Sequence, residues 1–438
     1  MNGGDLAALL GRHAARHSVP GAAIGVLREG VVTTAYYGVA DVTTGELVTG
    51  ETGFSPGSLT KSMVATVIAH LAQAGRLSLD DSVAMHVPEL RASRWAARAT
   101  LRDLLANRSG LPLRAELEFG FTGRNAGDGG ALSRLASDVA AGESAGRFWS
   151  YTNVGWCLLG RAIETSTDLP WEEAMRRHLF EKAGMSGTHF STDAHTTRRV
   201  SGHQVTTDGP VPVEALVARA YGPAGTSVVS TVTDLLRFAA LHLEDSSLAA
   251  LRAVQAEIAI YSWLDSWCLG WAWFDWKGAQ VWGWDGVVSG ERSFLRIVPE
   301  RQAAVALMTN STAGRAMYRS LFDELMKSSF DIHIPPLRLE AAFDVAGDLS
   351  RFAGVYAWPD RKIEVTATAR GTLLIKSESG ESEALPLGER TFLVEPENPD
   401  NPTVTFGAFD AAGRPQVLYV MLWGLPRLVR QEPRSLSA

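Results

Sequence analysis

A serine and a lysine three residues apart, Ser58-Leu59-Thr60-Lys61, can do nucleophilic chemistry if they share a helix. Positions i and i+3 lie on one helical face, so the Lys61 amine can point at the Ser58 hydroxyl. A serine at a helix N-terminus also sits at the positive end of the dipole, with its own N–H free to meet an oxyanion. The plain alternative is an N-capping serine followed by a surface lysine. A second serine competes, because Gly53-Phe54-Ser55-Pro56-Gly57 fits the G-x-S-x-G elbow. That elbow takes an oxyanion donor from the backbone N–H after the serine, and Pro56 has none. Ser55 is set aside.

Tyr151-Thr152-Asn153 supplies a partner for Ser58. A tyrosine beside a lysine ammonium has its phenolate favoured, so it can accept the serine proton. Asn153 would bridge the lysine and a substrate amide. Read alone, the same residues are a packed tyrosine at a helix start with asparagine as the cap. The third element is Gly283-Trp284-Asp285-Gly286 at the end of a strand.

These residues need elements to hold them. Leu59, Met63, Val64, Val67, Ile68 and Leu71 recur at steps of three and four, one apolar stripe on a helix from Ser58 to Gly75. A helix-like run follows Tyr151 from Val154. Strands are expected at Gly21 to Leu27 and Val31 to Tyr37, joined as a hairpin, and again at Leu269 to Trp276, Gln280 to Trp284, Ser293 to Val298 and Ala303 to Thr309. Helical patterns, interrupted at Gly120 to Gly130, fill much of 80–250, and another helix is expected near 313–328. Pro335-Pro336 marks a joint, beyond which short, evenly spaced β-runs from Gly354 to Leu422 suggest a small closed barrel. The fold class is α+β, with a domain over 1–335 and a β-barrel over 336–438.

The three elements in this order resemble the penicillin-recognising serine enzymes: class C β-lactamases, D-alanyl-D-alanine carboxypeptidases, D-aminopeptidases and related esterases and transacylases. Gly75-Arg76-Leu77-Ser78-Leu79-Asp80-Asp81, Ser109-Gly110-Leu111, Gly184-Met185, Ala224-Gly225 and Val305 to Asn310 look like further family segments, so the resemblance spans about residues 15–330. The barrel resembles the lipocalin-like domain attached to several members. The resemblance implies a β-lactamase/transpeptidase-like domain, an antiparallel sheet flanked by helices. It implies Ser58 as nucleophile, Lys61 and Tyr151 in proton transfer, and Asn153, Trp284, Asp285 and Gly286 holding substrate. The backbone N–H groups of Ser58 and Val287 would form the oxyanion hole.

One departure is informative. The third motif usually opens with Lys or His, which meets a substrate carboxylate, and Trp284 presents no cation. That puts β-lactam hydrolysis and D-Ala-D-Ala carboxypeptidase activity in doubt and favours ester, thioester or amide donors with apolar groups. Seven tryptophans crowd this region: Trp263, Trp267, Trp271, Trp273, Trp276, Trp282 and Trp284. They suit either a dense aromatic core or a cleft for a flat acyl group, with Trp284 facing the cleft.

Composition removes other classes. The net charge of −7 and the lack of a basic stripe argue against a nucleic-acid partner. No P-loop, dinucleotide fingerprint or H-E-x-x-H occurs, and His195 and His203 lack a carboxylate at ligand spacing, so no cofactor or metal is expected. Cys157 and Cys268 cannot build a disulfide framework. No apolar stretch reaches membrane-span length, and Met1 to Leu10 lacks a signal-peptide pattern, so a cytoplasmic protein without a membrane partner is expected. The expected function is a serine acyl-enzyme acyltransferase or hydrolase taking a small-molecule or peptide acyl donor and an amine or alcohol acceptor. It leans to transacylation in natural-product biosynthesis. A plain esterase or D-amino-acid peptidase or amidase is the alternative, and a non-catalytic ligand sensor or carrier is the reading from another class.

Overall fold

The computed structural model describes residues 2–111, 131–139, 148–193, 198–215, 218–260, 264–277, 279–336, 348–395 and 403–428. Trp263, His195 and the Gly120 to Gly130 interruption lie outside the described residues.

The alternating runs at both ends of the first 310 residues meet in one sheet. Its strands are β1 (Gly21–Arg28), β2 (Val31–Gly38), β3 (Ala256–Ile260), β4 (Leu264–Trp267), β5 (Ala272–Trp276), β6 (Ala279–Val288), β7 (Glu291–Val298) and β8 (Ala303–Thr309). They pair antiparallel in the order β2-β1-β8-β7-β6-β5-β4-β3. The chain's start therefore closes onto its later half, with Ala22 opposite Thr309 and Arg28 opposite Ala303. β3 and β4 add an edge that periodicity alone does not announce. β6 runs on past Trp284 to Val288, so the third motif lies inside a strand and not at its end.

Both faces of this sheet are covered. α1 (Gly3–Arg16) and α5 (Gly314–Phe330) contact each other on one face, where Tyr318 of α5 stacks on Phe294 of β7 at 4.2 Å. α2 (Leu59–Gln73) and α4 (Val232–Glu244) cover the other. Adjacent residues of one strand thus serve different layers: Phe294 meets α5, whereas the Ser293 hydroxyl bonds the Pro56 carbonyl ahead of α2 at 2.6 Å. α2 is buried nearly all round and packs against α3 (Asn153–Thr167), which explains why its apolar residues outnumber a single stripe.

Beyond the joint, eight strands form a meander: β9 (Gly354–Trp358), β10 (Arg361–Ala367), β11 (Leu373–Ser377), β12 (Gly380–Pro386), β13 (Thr391–Leu393), β14 (Thr403–Phe409), β15 (Pro415–Val420) and β16 (Trp423–Pro426). They pair in chain order. The first and last come together where Tyr356 bridges Arg427 and the Leu428 N–H bonds the Val355 carbonyl at 2.8 Å. This is a nearly closed barrel, its interior filled by Phe352, Tyr356, Phe392 and Phe406.

Candidate active site

Ser58 stands at the N-terminus of α2 with helical torsions (φ −63°, ψ −9°), and its side chain makes no capping bond. The hydroxyl meets Lys61 instead, with Nζ 3.0 Å from Oγ. Lys61 is fully buried. Its Nζ also donates to Asn153 Oδ1 at 2.9 Å and to the Ala224 carbonyl at 2.6 Å. A buried lysine needs such partners, because desolvating an unpaired ammonium is costly. Two of these partners are pure acceptors, and the third direction faces Ser58. The Ala224 carbonyl is a contact that motif spacing does not reveal.

Asn153 need not cap α3, because Thr152 does so, its hydroxyl accepting from the Gly155 N–H at 3.1 Å. Tyr151 precedes the cap and is buried, its ring centroid 4.9 Å from Lys61 Nζ. The indole N–H of Trp284 donates to Tyr151 Oη at 3.3 Å. Trp267, Trp284 and Trp423 surround the Tyr151 ring at 5.9, 5.6 and 6.0 Å between centroids, the first and last edge-on. Negative charge arising on Tyr151 Oη would meet the Trp284 N–H and the nearby Lys61 cation among buried side chains.

The loop ahead of Ser58 is held to the third motif by close backbone approach. A Cβ on Gly286 would lie 1.9 Å from the Pro56 carbonyl oxygen, so no side chain fits there. Gly57, in the left-handed region at φ +52°, brings its α-carbon so near β6 that a Cβ would lie 2.6 Å from the Val287 nitrogen. Gly57 thereby lies directly against Val287, one residue before Ser58. Ser55 is buried, its N–H on Glu291 Oε2 at 2.6 Å, and Glu291 is paired to Arg199 at 3.2 Å. Burial pushes the Glu291 carboxyl above its usual range, against the pull of Arg199. Ser55 and Glu291 anchor the loop.

Asp285 stands elsewhere than its motif suggests. Strand alternation sends it to the α5 face, away from Trp284, where it pairs with Arg296 at 2.7 Å and Arg315 at 3.5 Å. Its side chain is therefore not positioned to hold substrate at Ser58. Arg296 also donates to the Trp284 carbonyl at 3.2 Å, so the pair steadies the strand under the site. Of the tryptophan cluster, Trp267, Trp271, Trp276 and Trp284 are buried, whereas Trp273 and Trp282 are partly exposed. Trp271 packs on Phe238 and His242 as core. Among the described residues no group of three His, Cys, Asp or Glu is arranged to hold a metal, and no helix is long and apolar enough to cross a membrane.

Residues 6–325 match the family model described as Beta-lactamase. The chain is 31% identical over 363 residues to Penicillin-binding protein 4 of Amycolatopsis lactamdurans, covering 78% of this chain and 93% of that protein. The crystal structure of SurE superposes with a TM-score of 0.82 at 27% identity over 97% of this chain and 99% of that one. A second structure, of SurE with D-Leu, gives 0.79. The D-amino acid amidase of Ochrobactrum anthropi SV3 shares the fold, with a TM-score of 0.64 at 23% identity over 74% of this chain and 98% of its own. The chain belongs to the β-lactamase family of penicillin-recognising serine hydrolases, with a β-barrel appended to its C-terminal side.

Proposed function

We propose that the protein is an intracellular serine acyltransferase of natural-product biosynthesis, moving an acyl group from an ester, thioester or amide donor to an amine or alcohol through an acyl-enzyme. The observation that carries this reading is the buried Lys61, shared between Ser58, Asn153 and the Ala224 carbonyl and lying over the Tyr151 ring. Ser58 Oγ forms the new bond to the acyl carbon while its proton passes to the Tyr151 phenolate, which Lys61 as ammonium and the Trp284 N–H support. The carbonyl oxygen, now negative, lies in the gap between the Ser58 and Val287 N–H groups. On collapse, the bond to the leaving group breaks and Tyr151 returns the proton to it. An amine or alcohol then attacks the acyl-enzyme by the same path in reverse, and the Asn153 amide holds the substrate backbone.

The tryptophan at position 284 supports an apolar donor over one ending in a carboxylate. The likeness to SurE over nearly the whole chain, and the structure of that protein with D-Leu, support a D-amino-acid residue in the donor or acceptor. Cys157 and Cys268, both buried and in no disulfide, suit a reducing compartment. A plain D-amino-acid amidase or esterase is the second reading, favoured by the fold shared with D-amino acid amidase. The test offers the thioester of an acylated D-leucine with rising concentrations of amines, following the adduct by intact mass and the products by chromatography. An adduct on Ser58, and transfer outrunning hydrolysis at acceptor concentrations far below that of water, are the expected results. Hydrolysis dominating with every acceptor would refute the transferase and leave the amidase or esterase. Efficient cleavage of penicillins would overturn the argument from Trp284.

A further inference from the structure

The segment that delivers Tyr151 lies against the barrel. The Tyr151 N–H donates to the Leu422 carbonyl at 3.0 Å, and the Gly424 N–H donates back to the Ser150 hydroxyl at 3.0 Å. Leu422 and Met421 form the two-residue tip of the β15–β16 hairpin, where Val420 pairs with Trp423. Leu422 is buried. Trp149 packs on Tyr419 at 6.0 Å, and Gly424 approaches Phe148 so closely that a Cβ would lie 3.0 Å from its ring. The tip is anchored from within, since the Trp358 indole N–H donates to the Gly424 carbonyl at 2.9 Å. Beyond Leu422, Trp423 stands edge-on to the Tyr151 ring. Of the four rings in this box, Tyr151, Trp267 and Trp284 are buried and Trp423 is partly exposed.

We infer that the tip of the β15–β16 hairpin, through Trp423 and the Leu422 carbonyl, positions Tyr151 for proton transfer, so the barrel is part of the acylating machinery and not an accessory. The inference rests on the reading of Tyr151 as the base. The catalytic domain holds this tyrosine on its C-terminal side through the Thr152 cap, and its ring through Trp267, Trp284 and Lys61. The edge-on contact from Trp423 and the bond to the backbone N–H come from more than 270 positions further along the chain, where the neighbouring Ser150–Gly424 pair is separated by 274. A phenolic oxygen that drifts by about 1 Å loses its line to the serine proton, a displacement that costs about 100-fold in rate. Trp423 is a positioning residue, acting on the reaction through Tyr151.

The experiment is a double-mutant cycle in the full chain, reading the second-order rate of acylation by p-nitrophenyl acetate, with the active fraction titrated by a fluorophosphonate. Trp423→Ala should slow acylation about 10- to 100-fold per active site, and saturation kinetics with the same ester should place the loss in kcat rather than KM. Trp423→Phe, which keeps an edge for the tyrosine ring, should stay within about threefold. Ser150→Ala removes only the acceptor for the Gly424 N–H and should cost about two- to fivefold, which keeps the test available if Trp423→Ala folds poorly. In the Tyr151→Phe background the further loss from Trp423→Ala should fall within about twofold, because the two residues act as one unit. An equal loss in both backgrounds would overturn the positioning role, as would a native acylation rate in Trp423→Ala. A loss below about tenfold in Tyr151→Phe itself would instead overturn Tyr151 as the base and shift that role to Lys61.

Discussion

Replacing Trp284 with phenylalanine removes the indole N–H donor and shrinks the side chain while keeping an aromatic ring against Tyr151. The indole N–H donates to Tyr151 Oη at 3.3 Å, long for such a bond. A hydrogen bond to a neutral group contributes about 0.5–1.5 kcal/mol and one to a charged group about 1.5–3 kcal/mol, so the phenolate gains about 1 kcal/mol more than the phenol. At about 1.4 kcal/mol per tenfold, about 1 kcal/mol is about fivefold, so this lengthened bond should account for a fall in acylation rate of up to about fivefold. Loss of a donor disfavours the phenolate, so the acid limb of the pH–rate profile should also move to higher pH. The assay is pre-steady-state acylation by a p-nitrophenyl ester across pH, per titrated active site. Trp284→His restores an N–H on a smaller ring, and should recover part of the rate while shifting preference toward carboxylate-bearing donors and raising the hydrolysed share. A Trp284→Phe protein with native rate and native pH profile would refute a role for the indole N–H. A fall in rate with an unmoved profile would reduce Trp284 to packing.

Ser58→Ala should abolish fluorophosphonate labelling and turnover, whereas Ser55→Ala, losing only a 3.3 Å contact from the Gly57 N–H, should keep a large fraction of both; peptide mapping of the label decides. A chain ending at Pro336 tests the boundary we propose between residues 335 and 336. It should fold yet label at least about tenfold more slowly, since Tyr151 loses Leu422 and Trp423, and an undiminished rate would count against the barrel's role. Burial lowers the His242 imidazole to about 3, so the unfolded chain binds its proton first as pH falls. That contribution to stability is present above about 6.5 and is lost between there and about 3. His242→Met should flatten the urea midpoint across this window, and an unchanged slope would show that another group controls it.

The part of this protein written in its sequence is the part set by local geometry. Ser58 and Lys61 lie on one face of α2 because three residues advance a helix by about 4.5 Å and most of one turn, whatever else the chain does. Tyr151, Thr152 and Asn153 mark a helix start because Thr152 bonds back to the chain three residues on. Alternating runs announce strands, and evenly spaced short ones announce the barrel. Which face a strand residue serves depends on what covers each side of the sheet, so the side chain of Asp285 is placed by Arg296 and Arg315 and not by its neighbours in the motif. The tryptophan cluster divides between core and site for the same reason, its members sorted by Phe238 and His242 on one hand and Tyr151 on the other. The Ala224 carbonyl, 163 positions from Lys61, and the Leu422 carbonyl on Tyr151 carry no side-chain signal at all. A backbone oxygen is the same in every residue, and only the folding of distant segments onto one another decides which oxygen a lysine or a tyrosine meets.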